Sequence, residues 1–365
     1  MKKQKLFVDK ILIILSILFI LIGTFLFIIF IINLDYSFWE PQQIENSGII
    51  GDFIGGIVGS IWALVGVFLF FSAIKLQYRE LKIVQRDSVF QNFENKFFEL
   101  IKIHINNRAE ITVGKKNKTG RAALTLIKDE LIEIYRHARK LGTKHDIETS
   151  DIYNISFLIL YYGITLKAWK DIFKNEIDIL LKTKFERLEK QTNNTRGSYA
   201  GEVEYEEQKE SHLRFISELR EVLQENSKFS KKQFKPFNGN QHRLGPYFRH
   251  FFQSVKFVNN KNIEGLDFKT KYQYVKTLRA QLCSHEQIIL FFNSMSNLGL
   301  PWERDPNLSN KYQKHLITKY NLIKNIPKGY LKYLDINVES HYPDVKFEWH
   351  NKKSEYKIRL EDVYE

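Results

Sequence analysis

Apolar and polar positions divide this chain into a short front and a long remainder. From Ile11 to Ile32 the sequence carries no charge, and only Ser16, Gly23 and Thr24 dilute the aliphatic residues. That is about 22 residues, enough for a helix to cross a hydrocarbon core. Phe53 to Ile74 is a second uncharged run of about the same length. A cleaved leader would have a shorter apolar stretch and a small-residue cleavage site, so the pattern predicts two spanning helices joined as a hairpin. Beyond Ile74 the periodicity changes. Leu76, Ile83, Phe90 and Phe97 recur every seven residues, Phe93 and Leu100 fill the alternate seam positions, and no Pro or Gly interrupts Lys75 to Arg108. This predicts that the second span continues as one long amphipathic helix.

The rest of the chain reads as mainly helical. Helical spacing of apolar residues covers Arg121 to Leu141, then Ile152 to Glu189 through Phe157, Leu158, Tyr161, Tyr162, Leu166 and Trp169, then Glu210 to Leu223, Tyr247 to Val258, Tyr272 to Asn297 and Asn310 to Ile323. Gln191 to Gln208 turns to Asn, Thr, Gly and Glu, the composition of a surface loop or flexible linker. Val345 to Leu360 alternates apolar and polar residues on both sides of Asn351 to Ser354, which predicts a small C-terminal β-hairpin. The expected divisions are a cytoplasmic N-terminus (1–10), a first transmembrane helix (11–33), an external acidic loop (34–50), a second transmembrane helix (51–74), a long amphipathic helix (75–112), a helical cytosolic domain (113–326) with a flexible segment (191–208), and a β-hairpin region (327–365).

Charge sets the expected orientation. Lys2, Lys3, Lys5 and Lys10 precede the first apolar run, and Lys75, Arg79, Lys82 and Arg86 follow the second. The intervening Leu34 to Ile50 holds Asp35, Glu40 and Glu45 and no Lys or Arg. Basic residues stay on the cytoplasmic side, so both termini are expected there. Tyr36, Phe38 and Trp39 suit an interfacial aromatic belt. Gly51, Gly55, Gly59 and Ala63 recur every four residues, a small-residue stripe that lets another helix approach closely. The stripe serves either packing within the hairpin or self-association, in the extreme a lesion in the bilayer.

The formal charge of +13 lies in the remainder, because Met1 to Ile74 sums to about −1. A basic body could favour nucleic acid or anionic lipid. Lys, Ile, Asn, Phe and Tyr are all abundant while Arg is modest, so a coding bias accounts for the excess and nucleic acid is not favoured as a partner. The lone Cys283 excludes an internal disulfide and a cysteine-based zinc site. Gly114 to Gly120 is not a phosphate-binding loop, since Arg121 stands where Lys followed by Ser or Thr is needed.

Two stretches are dense in polar candidates. His242, Arg243, Tyr247, Arg249 and His250 surround Gly245-Pro246, expected as a helix start, and Arg279, Gln281, His285, Glu286 and Asn293 fall on what reads as one long helix. On a continuous helix Arg279, Glu286 and Asn293 would share a face. One reading is a ribonuclease of the HEPN type, with an Arg that polarises a phosphate and a His that shuttles a proton. Arg279 to His285, Arg243 to His250 and Arg139 to His145 have suitable spacing, but a chain with ten His meets such a spacing by chance about once. If the protein were an enzyme, Arg279, Glu286, His250 and Arg249 would be its candidates. The favoured alternative is a partly buried network of Arg249, Arg279 and Glu286 that orients packed helices. No helical pair of His with a carboxylate suggests a metal, no Gly-x-Ser-x-Gly elbow suggests a serine nucleophile, and no cofactor is implied.

Several segments taken together resemble a known family. "GDFIGGIVGS", "LQYRELKIVQRDSVFQNFENKFFELI", "HRLGPYFRHFFQSVKFV" and "LRAQLCSHEQIILFFN" followed by "KYNLIKNI" are similar, in order and spacing from Gly51 to Ile326, to the phage abortive infection proteins, an AbiC-like family of two-span bacterial membrane proteins. Residues from Gly142 to Asn240 and the terminal segment carry no such likeness. His285 departs from the pattern, where an aromatic residue is usual, which speaks against an essential catalytic role. The resemblance implies antiviral defence in which an infected cell stops supporting the phage. The expected partners are the lipid bilayer, a second copy through the second span, and a phage-derived trigger. A membrane-anchored ribonuclease and a non-catalytic binder of a phage component are the alternatives.

Overall fold

In the computed structural model the described residues are 2–33, 48, 51–114, 117–165, 169–192, 199–229, 237–303 and 313–350. They are mainly helical and divide into two compact units, Met1–Phe93 and Glu94–Glu365.

The first unit holds α1 (Lys2–Asn33) and most of α2 (Gly59–Glu110), which is entered through a π-helical stretch at Phe53–Val58. Two stretches, Ile13–Ile32 and part of Phe53–Glu110, are long and apolar enough to cross a membrane. The hairpin closes through a few contacts. Phe30 stacks on Phe53 with ring centroids 3.8 Å apart, Phe19 meets Phe68 at 6.0 Å, and Gly23 lies under Trp62. A Cβ on Gly23 would stand 2.7 Å from the Trp62 indole nitrogen, so glycine is what admits the indole. Most other aliphatic side chains of these helices are exposed, which suits a lipid solvent and not water. Thr24, Ser60 and Ser72 donate their hydroxyls to the carbonyls of Ile20, Gly56 and Phe68 one turn earlier, which satisfies these three groups within their own helices, as an apolar medium requires.

The second unit begins in the last turns of α2, where Phe97 and His104 are buried. A two-residue antiparallel pair, β1 (Thr112–Val113) with β2 (Lys118–Thr119), leads into α3 (Gly120–Gly142). Then come α4 (Thr149–Tyr162), α5 (Trp169–Thr192), α6 (Tyr199–Phe229), α7 (Gln241–Asn260), α8 (Phe268–Arg279) and α9 (Ser284–Met295). A 3-10 segment at Asn297–Trp302 and three short helices, α10 (Leu316–Tyr320), α11 (Lys328–Leu334) and α12 (Val338–His341), follow. The core lies where α3, α4 and α9 pack. There Tyr135 stacks on Tyr153 at 5.2 Å, and Phe291 and Phe292 meet Tyr153 edge-on at 5.0 and 5.1 Å. Such edge-on pairs match ring quadrupoles and add to area burial.

Several sequence-based expectations change here. The helix expected from Ile152 to Glu189 is two helices, broken at Gly163. Gly163 has φ 79°, and its position lies so near Asn238 that a Cβ would approach that backbone to 2.6 Å, so the sharp turn requires glycine. Leu166 lies outside the described residues. The stretch expected as a linker, 191–208, enters α6 at Tyr199, because Tyr205, Lys209 and Asp178 tie α6 to α5. The helix expected from Tyr272 to Asn297 is interrupted between Arg279 and Ser284, where Glu286 accepts from the Cys283 backbone N–H and starts α9 afresh. Of the stretch Asn310 to Ile323, only Leu316–Tyr320 is helical among the described residues. The C-terminal β-hairpin is not found among the described residues: Val345 is a bend, Lys346 and Phe347 are irregular and Glu348–His350 is a 3-10 turn, with Phe347 stacked on Trp349 at 4.4 Å. Stacking of residues i and i+2 on one side mimics alternation without any strand. The other half of that expected hairpin, 351–360, falls outside the described residues.

Candidate functional site

The end of α2, the middle of α7 and the start of α9 enclose a buried polar cluster. Helix α2 brings His104 and Arg108, one turn apart. Helix α7 brings Tyr247 and His250, and the break before α9 brings Gln281, Cys283 and Glu286. The Tyr247 hydroxyl donates to Glu286 Oε1 at 2.7 Å, and Arg108 Nη1 stands 3.8 Å from the same oxygen while donating to the Gln281 carbonyl at 2.6 Å. Glu286 Oε2 accepts from the Cys283 N–H at 2.7 Å. Glu286 and Tyr247 are each only 1% exposed, so this carboxylate is matched by a cation and two donors, as a buried charge requires. Burial and the adjacent Glu286 carboxylate hold the Tyr247 hydroxyl well above its ordinary pKa, and the same two causes push the Cys283 thiol up to about 11. A raised pKa disfavours the thiolate, the nucleophilic form.

Beside this satisfied group lies an unsatisfied one. His104 is fully buried, its ring 4.9 Å from Tyr247, 5.1 Å from Phe251 and stacked at 6.2 Å on His250. All four ring nitrogens of His104 and His250 are buried without a hydrogen-bond partner. Burial, then the neighbouring His250 and Arg108, lower the His104 pKa to about 3, and burial lowers that of His250. Two neutral imidazoles stacked without partners cost free energy in the folded state. The pair has no third ligand: no group of His, Cys, Asp and Glu among the described residues could hold a metal ion.

The expected polar stripe does not exist as one face. Arg279 is buried but donates to the carbonyls of Tyr320 and Asn321 at 2.8 and 3.1 Å, anchoring α10. Asn293 accepts from the Trp302 indole at 3.0 Å. Gln281 contributes its carbonyl to Arg108, and His285 Nδ1 meets the Thr125 hydroxyl at 3.0 Å. The expected network of Arg249, Arg279 and Glu286 is thus replaced by Arg108 with Glu286. Arg108 is 173 residues from Gln281 in sequence, which no local pattern reveals. Arg249 is exposed, and Arg243 donates to the Thr112 carbonyl at 2.7 Å and to Asn240 Oδ1 at 3.2 Å. Pro246 lies within α7, not at its start, so Arg243 and His250 do share a helix. They are engaged separately all the same, Arg243 with β1 and His250 with His104. His242 is an exposed neighbour of Arg243. In the third spaced pair Arg139 is bound to Asp335, and His145 faces Glu218 at 3.1 Å.

Sequence reasoning missed His104 and Arg108, although Phe93, Phe97, Leu100 and His104 continue one helical seam and a histidine closing an apolar stripe is a visible signal. It also missed the buried pair of Asp151 with His212, 3.1 Å apart, whose Asp151 lines a cleft of about 950 Å³. Glu148, Lys184, Glu303 and Lys319 give that cleft both signs of charge.

No curated protein and no solved structure matches the chain. Residues 239–331, which hold α7, α8, α9 and most of the cluster just described, match the model of the family described as "Putative phage abortive infection protein", and this supports a general role in anti-phage defence.

Proposed function

We propose that the protein is a two-pass effector of abortive infection in the bacterial inner membrane, with both termini cytoplasmic. The body senses infection through a phage-derived trigger, α2 relays the change, and the spanning helices associate and compromise the bilayer. One observation carries this reading. At Gly51 and Gly55 a Cβ would meet nothing within 4 Å, at Gly59 it would meet only the Ile54 carbonyl of its own helical segment, at 3.1 Å, and Ala63 is exposed, whereas the hairpin packs through Gly23 and Trp62. The stripe of Gly51, Gly55, Gly59 and Ala63 is therefore not consumed in closing the hairpin, and a small-residue face left open in lipid favours another helix. A relay through α2 is supported by its unbroken course from Gly59 to Glu110 and by His104 and Arg108 at its end. An unsatisfied histidine pair there is the kind of stored cost that a rearrangement can relieve.

The test is a potential-sensitive dye followed through one round of phage infection. Cells with the wild-type protein depolarise before lysis and limit phage yield. Cells with Gly55→Leu and Gly59→Leu, at equal protein level, keep their potential and lose protection. Unchanged protection by the double variant, or protection without depolarisation, refutes the membrane mechanism and leaves a binder of a phage component as the function.

A further inference from the structure

Helix α7 has two working faces. Tyr247, His250 and Phe251 pack around His104 of α2, while Leu244, Phe248 and Phe252 line a cavity of about 270 Å³ bounded by Tyr161 and the 3-10 segment around Trp302, which Phe251 also reaches at 5.6 Å. Its walls are built with care. Gly299 stands where a Cβ would strike the Asn293 carbonyl, so the 3-10 segment can lie flat on α9 only with glycine there, and Gly245 leaves space for the Tyr161 hydroxyl. Phe252 meets Trp302 edge-on at 4.9 Å. The cavity is wide enough for one aromatic side chain and is mostly apolar.

Charge at the rim has one sign. Arg249 lines the cavity, is exposed, and makes no hydrogen bond or ion pair among the described residues; Lys256 stands 5.7 Å above the Phe252 ring. No acidic residue lines the cavity among the described residues. Its polar interior groups are few: the Trp302 indole N–H is already given to Asn293. A nucleobase seated here would have only Tyr161, Asn293 and Arg249 to meet its several edge groups and would leave the rest unpaired, at a desolvation cost, whereas an aromatic side chain has none to lose. We infer that this pocket docks an acidic peptide segment of a partner protein, which inserts one aromatic side chain between Phe248, Phe252 and Trp302 and lays a carboxylate on Arg249. An aromatic anchor in a desolvated pocket beside an arginine is the usual composition of an interface hot spot. The inference deepens the proposed sensing role, and rests on it only for taking the partner to be phage-derived. The bound segment would press on the same helix that carries His250.

The experiment uses the full chain in detergent and a fluorescein-labelled peptide of sequence Glu-Asp-Phe-Asp-Glu, read by anisotropy. Arg249→Glu is expected to weaken binding by at least about tenfold, as is Ala in place of the peptide's Phe, and a Lys-Lys-Phe-Lys-Lys peptide is expected to bind no better than these. Because Arg249 is exposed and unpaired, its variant keeps the fold, so a loss reports the pocket; Phe252→Ala gives a second reading from the wall. Equal affinity of Arg249→Glu, equal affinity of the basic peptide, or tighter binding of a uridine hexanucleotide overturns the inference. In infected cells Arg249→Glu should abolish protection and depolarisation together. If wild-type cells are protected without depolarisation while the peptide results hold, the membrane mechanism falls and the pocket stands.

Discussion

The hairpin and the body use the same aliphatic and aromatic residues to opposite ends. In the hairpin Ile32 is 72% exposed and polar groups are few and paired within one turn; in the body Ile155 is fully buried, yet so are Arg279, Glu286 and His104. One region exposes most of its aliphatic side chains and has almost no internal core, and the other builds its core around charges. The difference teaches where a residue's identity suffices and where its partner decides. In lipid an isoleucine needs only its side chain. Buried Glu286 needs three other residues.

The largest effect that sharpens this contrast falls on Glu286. Glu286→Ala leaves the Tyr247 hydroxyl buried without its acceptor and the part-buried Arg108 without its counterion, and is expected to cost about 3–5 kcal/mol, whereas Ile14→Ala in the hairpin stays within about 0.5 kcal/mol. Urea denaturation in detergent micelles compares them; similar small losses for both would break the distinction between the regions.

A next-door comparison follows on α2. Phe97 is 1% exposed and Phe98 is 56% exposed. Phe97→Ala should lose about 3 kcal/mol or more and Phe98→Ala less than about 0.5 kcal/mol in the same titration. Equal losses would mean that the body does not pack on this helix as described.

The effect that is smallest over a single pH unit is a pH dependence. The folded-state pKa of His104 lies at about 3, below its unfolded value of 6.5, so the unfolded chain binds the proton first. Its contribution is constant above pH about 6.5 and is lost as pH falls, by up to about 1.4 kcal/mol per pH unit. His104→Leu should flatten the stability profile between pH 6.5 and 4 relative to wild type and raise stability at pH 7, since it removes two unpaired buried nitrogens. Parallel profiles for the two proteins would show that His104 is not desolvated.

How legible all this is from sequence follows the same divide. The apolar runs, their lengths and the glycine periodicity need only local composition, and the unbroken helix through Leu76 to Leu100 is visible for the same reason, but of its expected seam Leu76 and Ile83 are exposed and only Phe93 and Phe97 are buried. Breaks are harder. Gly163 and the Cys283 restart of α9 interrupt continuous apolar periodicity, and each is set by a contact, with Asn238 in one case and with Tyr247 and Arg108 through Glu286 in the other. Of the candidate residues, Tyr247, His250, Gln281 and Glu286 do meet, but Arg279 and Asn293 leave for α10 and Trp302 once the helix is broken. The Phe347–Trp349 stack shows the opposite error, in which i, i+2 spacing satisfied by two rings reads as a strand.

One carboxylate holds a lesson about units of inheritance. Glu286 spends one oxygen on the first turn of its own helix and the other on residues carried by α7 and α2. The family-matched stretch, 239–331, thus begins α9 with a residue whose charge is neutralised from outside it, by Arg108. What is passed down as a recognisable block is half of a folding block. Cut free of α2, that segment would carry an acid with no counterion and a histidine with no stacking partner, and a graft of it onto another scaffold would have to bring residues 94–110 along.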